Sequence, residues 1–155
     1  MTHVPLKDLP EFVRNVRAML KLLPHKNSAT LVYLQGELGS GKTTFMQQLG
    51  RELGIEVPMQ SPTYVLMKTY RIEGERLPNG APRRFKRLVH IDAYRLNSAA
   101  EFAALRPEQF LEDPEALVCI EWPERVAEAL PEPDLTIAFS SEGVGEAERN
   151  IEMQK

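Results

Sequence analysis

The chain has 155 residues, of which 43% are hydrophobic and 26% charged, and a formal net charge of −3 at pH 7. This composition predicts a single globular domain, residues 1–155, with a substantial core. The negative charge disfavours non-specific nucleic-acid binding by the chain as a whole, because such binding depends on Lys and Arg contacts to phosphates. Neither a membrane-spanning run of roughly 20 apolar residues nor a signal-peptide pattern is present. The single cysteine, Cys119, excludes an internal disulfide, so we expect a cytoplasmic protein with no membrane partner.

The first third of the sequence predicts two helices around a buried strand. Residues 8–23 have apolar side chains at helical spacing, and Asp8 with Glu11 has the pattern of a capping box. Residues 31–35 are nearly all apolar, which is typical of a strand with both faces buried in a largely parallel sheet. A second amphipathic helix is predicted over residues 42–53.

The segment between that strand and the second helix has the pattern G-x-x-x-x-G-K-[ST], which is typical of loops that hold nucleoside triphosphates. Glycines allow successive N–H groups to converge on an anion, and the following helix adds its positive N-terminal end. Lys42 is then expected to reach the β- and γ-phosphates and Thr43 to ligate Mg²⁺. The alternative is a glycine-rich turn with a solvated lysine. We call residues 36–44 the glycine loop; its predicted nucleotide-binding residues are Gly36, Glu37, Leu38, Gly39, Ser40, Gly41, Lys42, Thr43 and Thr44.

The stretch Ser-Pro-Thr-Tyr at residues 61–64 leads into a strand predicted over residues 64–72. Pro62 restricts the residue before it to extended geometry, which would give Thr63 a defined orientation. Thr63 is therefore a candidate for a segment that senses the γ-phosphate. The alternative is a rigid entry into the strand.

Residues 73–86 carry glycines and prolines that indicate turns, so this part of the chain is predicted to form an elongated hairpin. Basic residues cluster on its returning arm. The cluster is either a solvated segment that protects the edge of the sheet or a docking surface for an acidic partner or RNA. Its members are Arg83, Arg84, Lys86 and Arg87.

The second half of the sequence predicts an alternation of strands and short helices. Ser98 and Glu101 form a second capping-box pattern. The predicted strands are residues 88–92, 117–120, 135–140 and 149–153, and the predicted helical segments are residues 98–105, 107–112 and 124–130. The fold class is α/β: a single P-loop NTPase domain with a mixed, partly antiparallel central sheet flanked by helices.

Two acids directly follow apolar strands: Asp92 after residues 88–91 and Glu121 after residues 117–120. Ligands of open α/β sheets bind outside the carboxyl ends of the parallel strands, and Mg²⁺ prefers hard oxygen ligands. One acid could ligate Mg²⁺ while the other holds a metal-bound water or orients the attacking water, and their spacing does not assign these roles. His90, inside the first of these strands, is either a core residue or a ligand or base.

Four motifs together resemble the TsaE (YjeE) family, the small P-loop ATPases of bacterial tRNA threonylcarbamoyladenosine modification. The glycine loop alone is shared by many families, whereas the set of four in this order is much more specific. The matching segments are GELGSGKTT at residues 36–44, SPTY at 61–64, HIDAYRL at 90–96 and EWP at 121–123.

The resemblance implies an ATPase that is slow alone and works with TsaB- and TsaD-like proteins, meeting tRNA only indirectly through that complex. It implies ATP and Mg²⁺ as cofactors, with Thr43 and Glu121 as the metal ligands. Lys42, Asp92 and Thr63 are the implied catalytic residues. The segment near Leu6 and Asp8 is expected to lie near the adenine. Residues 73–86 look longer and more basic than in the family, which affects how partners would be met.

Two other functions remain as alternatives. A small-molecule kinase on the same fold would need an acceptor pocket and several arginines around the transferred phosphoryl group. The arginine cluster in this sequence lies in the hairpin and no second substrate motif is visible. A non-catalytic ATP-sensing adaptor would bind ATP tightly and hydrolyse almost none of it, even with partners present.

Overall fold

The structure is a computed structural model that describes residues 2–60, 62, 64–73, 84–145 and 147–155. Within these residues the chain forms a seven-stranded sheet in the order β1-β7-β6-β2-β5-β4-β3. The strands are β1 (Thr2–Pro5), β2 (Thr30–Gln35), β3 (Met67–Arg71), β4 (Arg87–Asp92), β5 (Ala116–Glu121), β6 (Leu135–Ser140) and β7 (Glu148–Gln154).

Four α-helices accompany the sheet in the described residues. They are α1 (Leu9–Leu22), α2 (Lys42–Glu52), α3 (Ala99–Ala103) and α4 (Glu108–Leu111), with short 3₁₀ turns at Leu6–Asp8, Pro123–Arg125 and Ala127–Ala129. No helix in the part of the chain that the structure describes has both the length and the apolar character needed to cross a membrane.

The sheet is mixed. β2 pairs in parallel with β5 and β6, and β4 pairs in parallel with β5. The pairs β1–β7, β6–β7 and β3–β4 are antiparallel. This confirms the predicted α/β fold with a mixed central sheet flanked by helices.

Alternate side chains of β2 point into two separate cores, as the period of a strand requires. Val32 and Leu34 belong to the core that includes residues of α1 and α2. Leu31 and Tyr33 belong to the core on the other face, with residues of α3 and α4. Because both faces are covered, the central strands are almost entirely apolar.

Three local predictions were wrong. Asp8 stands before α1 but makes no side-chain capping bond, because a 3₁₀ turn precedes the helix and Asp8 itself has helical dihedrals. The strand predicted over residues 64–72 is confined to Met67–Arg71, since Leu66 has a φ of +64° and interrupts the extended backbone. The helix predicted over residues 124–130 is a pair of 3₁₀ turns.

The Ser98 half of the second capping box is confirmed, whereas the Glu101 carboxylate accepts the Asn97 N–H at 3.1 Å, and one strand was missed. The Glu101 N–H donates to Ser98 Oγ at 3.2 Å at the start of α3. β1 pairs with β7, and four residues with one buried side chain gave the sequence pattern little to detect.

The hairpin of β3 and β4 is confirmed by its antiparallel pairing. Residues 74–83, including Arg83, lie outside the described residues. The described members of the basic cluster, Arg84, Lys86 and Arg87, make hydrogen bonds or ion pairs with other residues of the chain. Arg84 Nη1 donates to Lys21 O at 3.2 Å, the Lys86 ammonium lies 2.7 Å from a carboxylate oxygen of Glu115, and the Arg87 guanidinium pairs with Asp113.

Candidate functional site

The glycine loop leaves the carboxyl end of β2 and continues into α2. Gly36 has a φ of +136°, and a Cβ there would lie 2.2 Å from the Phe139 carbonyl oxygen, so only glycine fits. Gly41, with a φ of +107°, occupies the N-cap position of α2 and supplies no side-chain cap. The first N–H groups of an 11-residue helix therefore remain available to an external acceptor.

The Lys42 ammonium is folded against the glycine loop rather than solvated. Lys42 is 4% exposed, and its Nζ donates to Gly36 O at 2.7 Å and to Glu37 O at 2.9 Å. The Trp122 ring covers it, with its centroid 4.2 Å from Nζ. Burial lowers the pKa of the Lys42 ammonium, and the nearby Glu121 carboxylate partly offsets this effect. A positive charge is thus held at the loop in a partly desolvated environment.

Glu121, at the end of β5, is bonded from two sides. The Thr43 hydroxyl lies 3.2 Å from Oε1 and 3.3 Å from Oε2 of Glu121. On the other side, His90 Nε2 lies 2.8 Å from Oε1. Glu121 is 2% exposed and His90 is 1% exposed, so the carboxylate depends on these two donors in place of water.

The contact with Glu121 assigns the tautomer of His90. An ionised carboxylate only accepts, so Nε2 carries the proton and Nδ1 of a neutral ring is an acceptor. Nδ1 is buried and has no hydrogen-bond partner in the described part of the chain. His90 is buried in the core and at the same time contacts a carboxylate at the edge of the site.

Asp92 ends β4 directly opposite Glu121 in the parallel register. Its Oδ1 accepts the Tyr94 N–H at 3.0 Å, which closes a short turn after the strand. Asp92 is 4% exposed. The cleft between the glycine loop and these strand ends measures about 270 Å³, and its lining includes Lys42, Thr43, Asp92, Glu121 and Trp122.

This donor set fits Mg²⁺ delivered with a phosphate ligand. A hydroxyl and two carboxylates among the lining residues offer hard oxygens. Across the described ranges, no group of three or more His, Cys, Asp or Glu side chains is arranged to hold a metal by itself. Mg²⁺ usually takes only one or two carboxylates and fills its remaining positions with phosphates and water, so a larger cage is not required.

Thr63 lies outside the described residues. Its neighbour Tyr64 is 83% exposed, and the Arg95 guanidinium lies 4.5 Å from the Tyr64 ring centroid. Arg95 therefore makes a cation–π contact with Tyr64. Leu6, which was expected near the adenine, starts the turn before α1 and donates its N–H to Ala147 O at 2.9 Å.

Sequence reasoning missed the contacts that the C-terminal strands make with the glycine loop. The Glu37 carboxylate accepts the Ser141 N–H at 2.6 Å and the Ser141 hydroxyl at 2.7 Å, which lowers the pKa of Glu37. Arg149 Nε donates to Ser40 O at 3.0 Å. Neither Ser141 nor Arg149 belongs to a motif, and both lie about a hundred positions from the loop, so no local pattern could reveal them.

Residues 8–151 match the family model described as "Threonylcarbamoyl adenosine biosynthesis protein TsaE". The chain belongs to the TsaE family. The resemblance drawn from the four motifs is thereby confirmed.

Named TsaE relatives agree with this assignment. The "tRNA threonylcarbamoyladenosine biosynthesis protein TsaE" of Synechocystis sp. is 42% identical over 100 residues, which are 63% of this chain and 56% of the relative. The Haemophilus influenzae protein of the same name is 33% identical over 119 residues, 77% of this chain and 66% of that one. The Streptomyces coelicolor protein is 36% identical over 122 residues, which are 78% of this chain and 73% of that protein. The match thus spans little more than half of the Synechocystis protein.

A solved structure shares the fold. The Bacillus subtilis protein YdiB superposes with a TM-score of 0.65 at 22% sequence identity, covering 98% of this chain and 81% of the YdiB chain. At this identity the likeness establishes the architecture of the TsaE-family chain and not its chemistry.

Proposed function

We propose that this protein binds ATP with Mg²⁺ and hydrolyses it slowly, as a subunit that works with TsaB- and TsaD-like proteins in threonylcarbamoyladenosine modification at position 37 of tRNA. Membership of the TsaE family supports the biosynthetic role, since the family model and the named relatives carry that description. The geometry of the cleft supports the nucleotide chemistry.

The observation that carries the proposal is the contact of the Thr43 hydroxyl with both Glu121 oxygens, at 3.2 and 3.3 Å, beside the buried Lys42. The Thr43 hydroxyl of α2 and the Glu121 carboxylate of β5 bring oxygen atoms together at the N-terminus of α2. The N-terminus of a helix also favours an anion. Lys42 would exchange the loop carbonyls for phosphate oxygens when a triphosphate enters.

We assign Thr43 and Glu121 as the residues that would hold Mg²⁺, which would supply positive charge to offset that of the phosphates. Asp92 would support a water of the metal or orient the attacking water. The assignment rests on Glu121 being in contact with Thr43, whereas Asp92 Oδ1 accepts the Tyr94 N–H at 3.0 Å. Thr63 is proposed as part of the segment that senses the γ-phosphate.

The charges around the cleft support the proposal that hydrolysis is slow in isolation. Its described lining residues include Lys42 and no arginine. An arginine supplied by a partner is worth about 10³–10⁵ in rate in other P-loop enzymes. We therefore propose that a partner protein supplies the missing positive charge, or orients the groups already present.

The test is a measurement of phosphate release by the purified protein, with and without the purified TsaB- and TsaD-like proteins. We expect Mg²⁺-dependent release that the partners change. If the partners neither bind nor alter turnover, the proposal fails. Transfer of labelled γ-phosphate to a metabolite pool would indicate the kinase, and tight ATP binding without release in any mixture would indicate the adaptor.

A further inference from the structure

The C-terminal hairpin, here defined as β6 and β7 with their connection, contacts the glycine loop at three successive points. At the first, the Phe139 carbonyl sits against Gly36. At the second, Ser141 donates twice to the Glu37 carboxylate. At the third, Arg149 Nε donates to Ser40 O at 3.0 Å and Nη2 donates to Gly39 O at 3.4 Å.

The third contact determines which way two peptide groups face. In a trans peptide the C=O and the following N–H point in opposite directions. The Gly39 carbonyl shares its peptide plane with the Ser40 N–H, and the Ser40 carbonyl shares its plane with the Gly41 N–H. When Arg149 holds both carbonyls on its own side, it turns both N–H groups away from itself: the Ser40 N–H donates to Glu37 O at 3.2 Å, and the Gly41 N–H belongs to the N-cap residue of α2. Convergent N–H groups are what an anion nest requires.

The backbone of Arg149 is fixed by strand pairing, so its side chain can hold these two carbonyls in place. It lies in β7, which pairs with β1 on one side, opposite Val4, and with β6 on the other. Its guanidinium passes close to Gly41, where a Cβ would lie 3.7 Å from Arg149 Nε. A planar guanidinium can reach two neighbouring carbonyls at once, whereas a lysine ammonium is a single point charge on a flexible stem.

We propose that Arg149 is a positioning residue of the glycine loop: by bonding the Gly39 and Ser40 carbonyls, it fixes both peptide planes and holds the Gly41 N–H ready for a polyphosphate. The inference rests on the proposed function, because it assumes that the loop binds nucleotide phosphates. It adds a residue outside the motif to the binding machinery, one that acts through the backbone and not by contact with the ligand.

The test compares Arg149→Ala and Arg149→Lys with Asn150→Ala as the matched control. Asn150 is the next residue of β7, and its side chain donates to Glu142 O at 3.0 Å. Calorimetric titration with Mg²⁺·ATP and with inorganic tripolyphosphate measures affinity, and thermal unfolding measures stability. ¹⁵N-labelled protein reports the amide signals of Ser40 and Gly41 without any nucleotide.

We expect Arg149→Ala to weaken ATP and tripolyphosphate alike, on the order of tenfold, as is typical when a residue that orients a binding group is lost. Arg149→Lys should lose less affinity than Arg149→Ala but still bind more weakly than the wild type. Asn150→Ala should retain the wild-type affinity. The Ser40 and Gly41 amide signals should shift in the Arg149 variants and stay in place in the control. Should Arg149→Ala not fold, Arg149→Lys carries the same comparison.

Three results would overturn the inference. One is unchanged tripolyphosphate affinity in folded Arg149 variants; another is an equal loss in Asn150→Ala, which would indicate a general effect on the hairpin. The third is unmoved Ser40 and Gly41 amide signals. If the wild-type protein itself binds neither ATP nor tripolyphosphate, the proposed function fails, and this inference fails with it.

Discussion

β4 and β5 carry charged residues at both ends, and the two ends differ in burial. At the amino-terminal end, Arg87 pairs with Asp113. Beside it, Lys86 pairs with Glu115, with side chains 67% and 49% exposed. At the carboxyl-terminal end, Asp92 and Glu121 are almost completely buried next to the glycine loop.

This difference in burial determines how much the loss of each charged group should change the free energy of unfolding. An exposed ion pair is worth about 0–1 kcal/mol, because water already solvates both partners. A buried carboxylate that loses a donor costs about 1–3 kcal/mol or more, since no water replaces the donor. Stability alone gives no reason to collect such groups at one edge of the sheet. We attribute the buried end to function and the exposed end to local pairing.

The largest effect is expected for Lys42→Ala. It removes the ammonium that would hold the phosphates and should abolish ATP turnover while the fold is retained. Phosphate release and circular dichroism measure the two quantities. Lys86→Ala, a lysine at the opposite end of the same strands, is the control and should keep full turnover. Unchanged activity in Lys42→Ala would contradict the assignment of the site.

Next in size is the difference between the two strand-end acids. Glu121→Gln should weaken Mg²⁺-dependent ATP binding more than Asp92→Asn, because Glu121 is the acid in contact with Thr43. Titrations with ATP in Mg²⁺ and in EDTA separate the metal-dependent part of the affinity. The two variants should differ in Mg²⁺ and agree in EDTA. The opposite ranking would exchange their roles.

His90→Ala tests the buried end without removing a proposed ligand. It removes the closer of the two contacts to Glu121 Oε1, leaving the Thr43 hydroxyl at 3.2 Å, and should lower the free energy of unfolding by about 1–3 kcal/mol. His90→Gln keeps a side-chain N–H and should recover part of that loss. Chemical denaturation measures both values. Equal stability of His90→Ala and the wild type would mean that the 2.8 Å contact carries no weight.

The smallest effect is expected at the exposed end. A double-mutant cycle of Lys86→Ala and Glu115→Ala should give a coupling free energy below about 1 kcal/mol that falls further at high salt. Urea denaturation at two salt concentrations provides the four stabilities. A coupling above about 2 kcal/mol would remove the contrast between the two ends.

Sequence reasoning succeeded where the signal is local. The run of residues 31–35, the glycines after it and the acids that follow two apolar strands each combine a periodicity with a chemical type in a few consecutive residues. These patterns predicted the mixed sheet, and they predicted the side chains that meet around the cleft.

Sequence reasoning failed where the role of a residue depends on pairing between distant segments of the chain. His90 lies opposite Cys119, so its diagonal contact with Glu121 becomes visible only once the register of β4 and β5 is known. The four residues of β1 can be recognised as a strand only from their pairing with β7. Arg149 is one basic residue on a short polar strand until the sheet brings it beneath the glycine loop.

Cys119 provides an internal reporter of unfolding. Its thiol is fully buried in the middle of β5, and burial raises its pKa above the ordinary range. Since it is the only cysteine, an alkylating reagent has one target, which it reaches only when the central sheet opens. The labelling rate therefore measures how often the sheet opens, and a nucleotide that binds the folded state should slow it in proportion to its affinity.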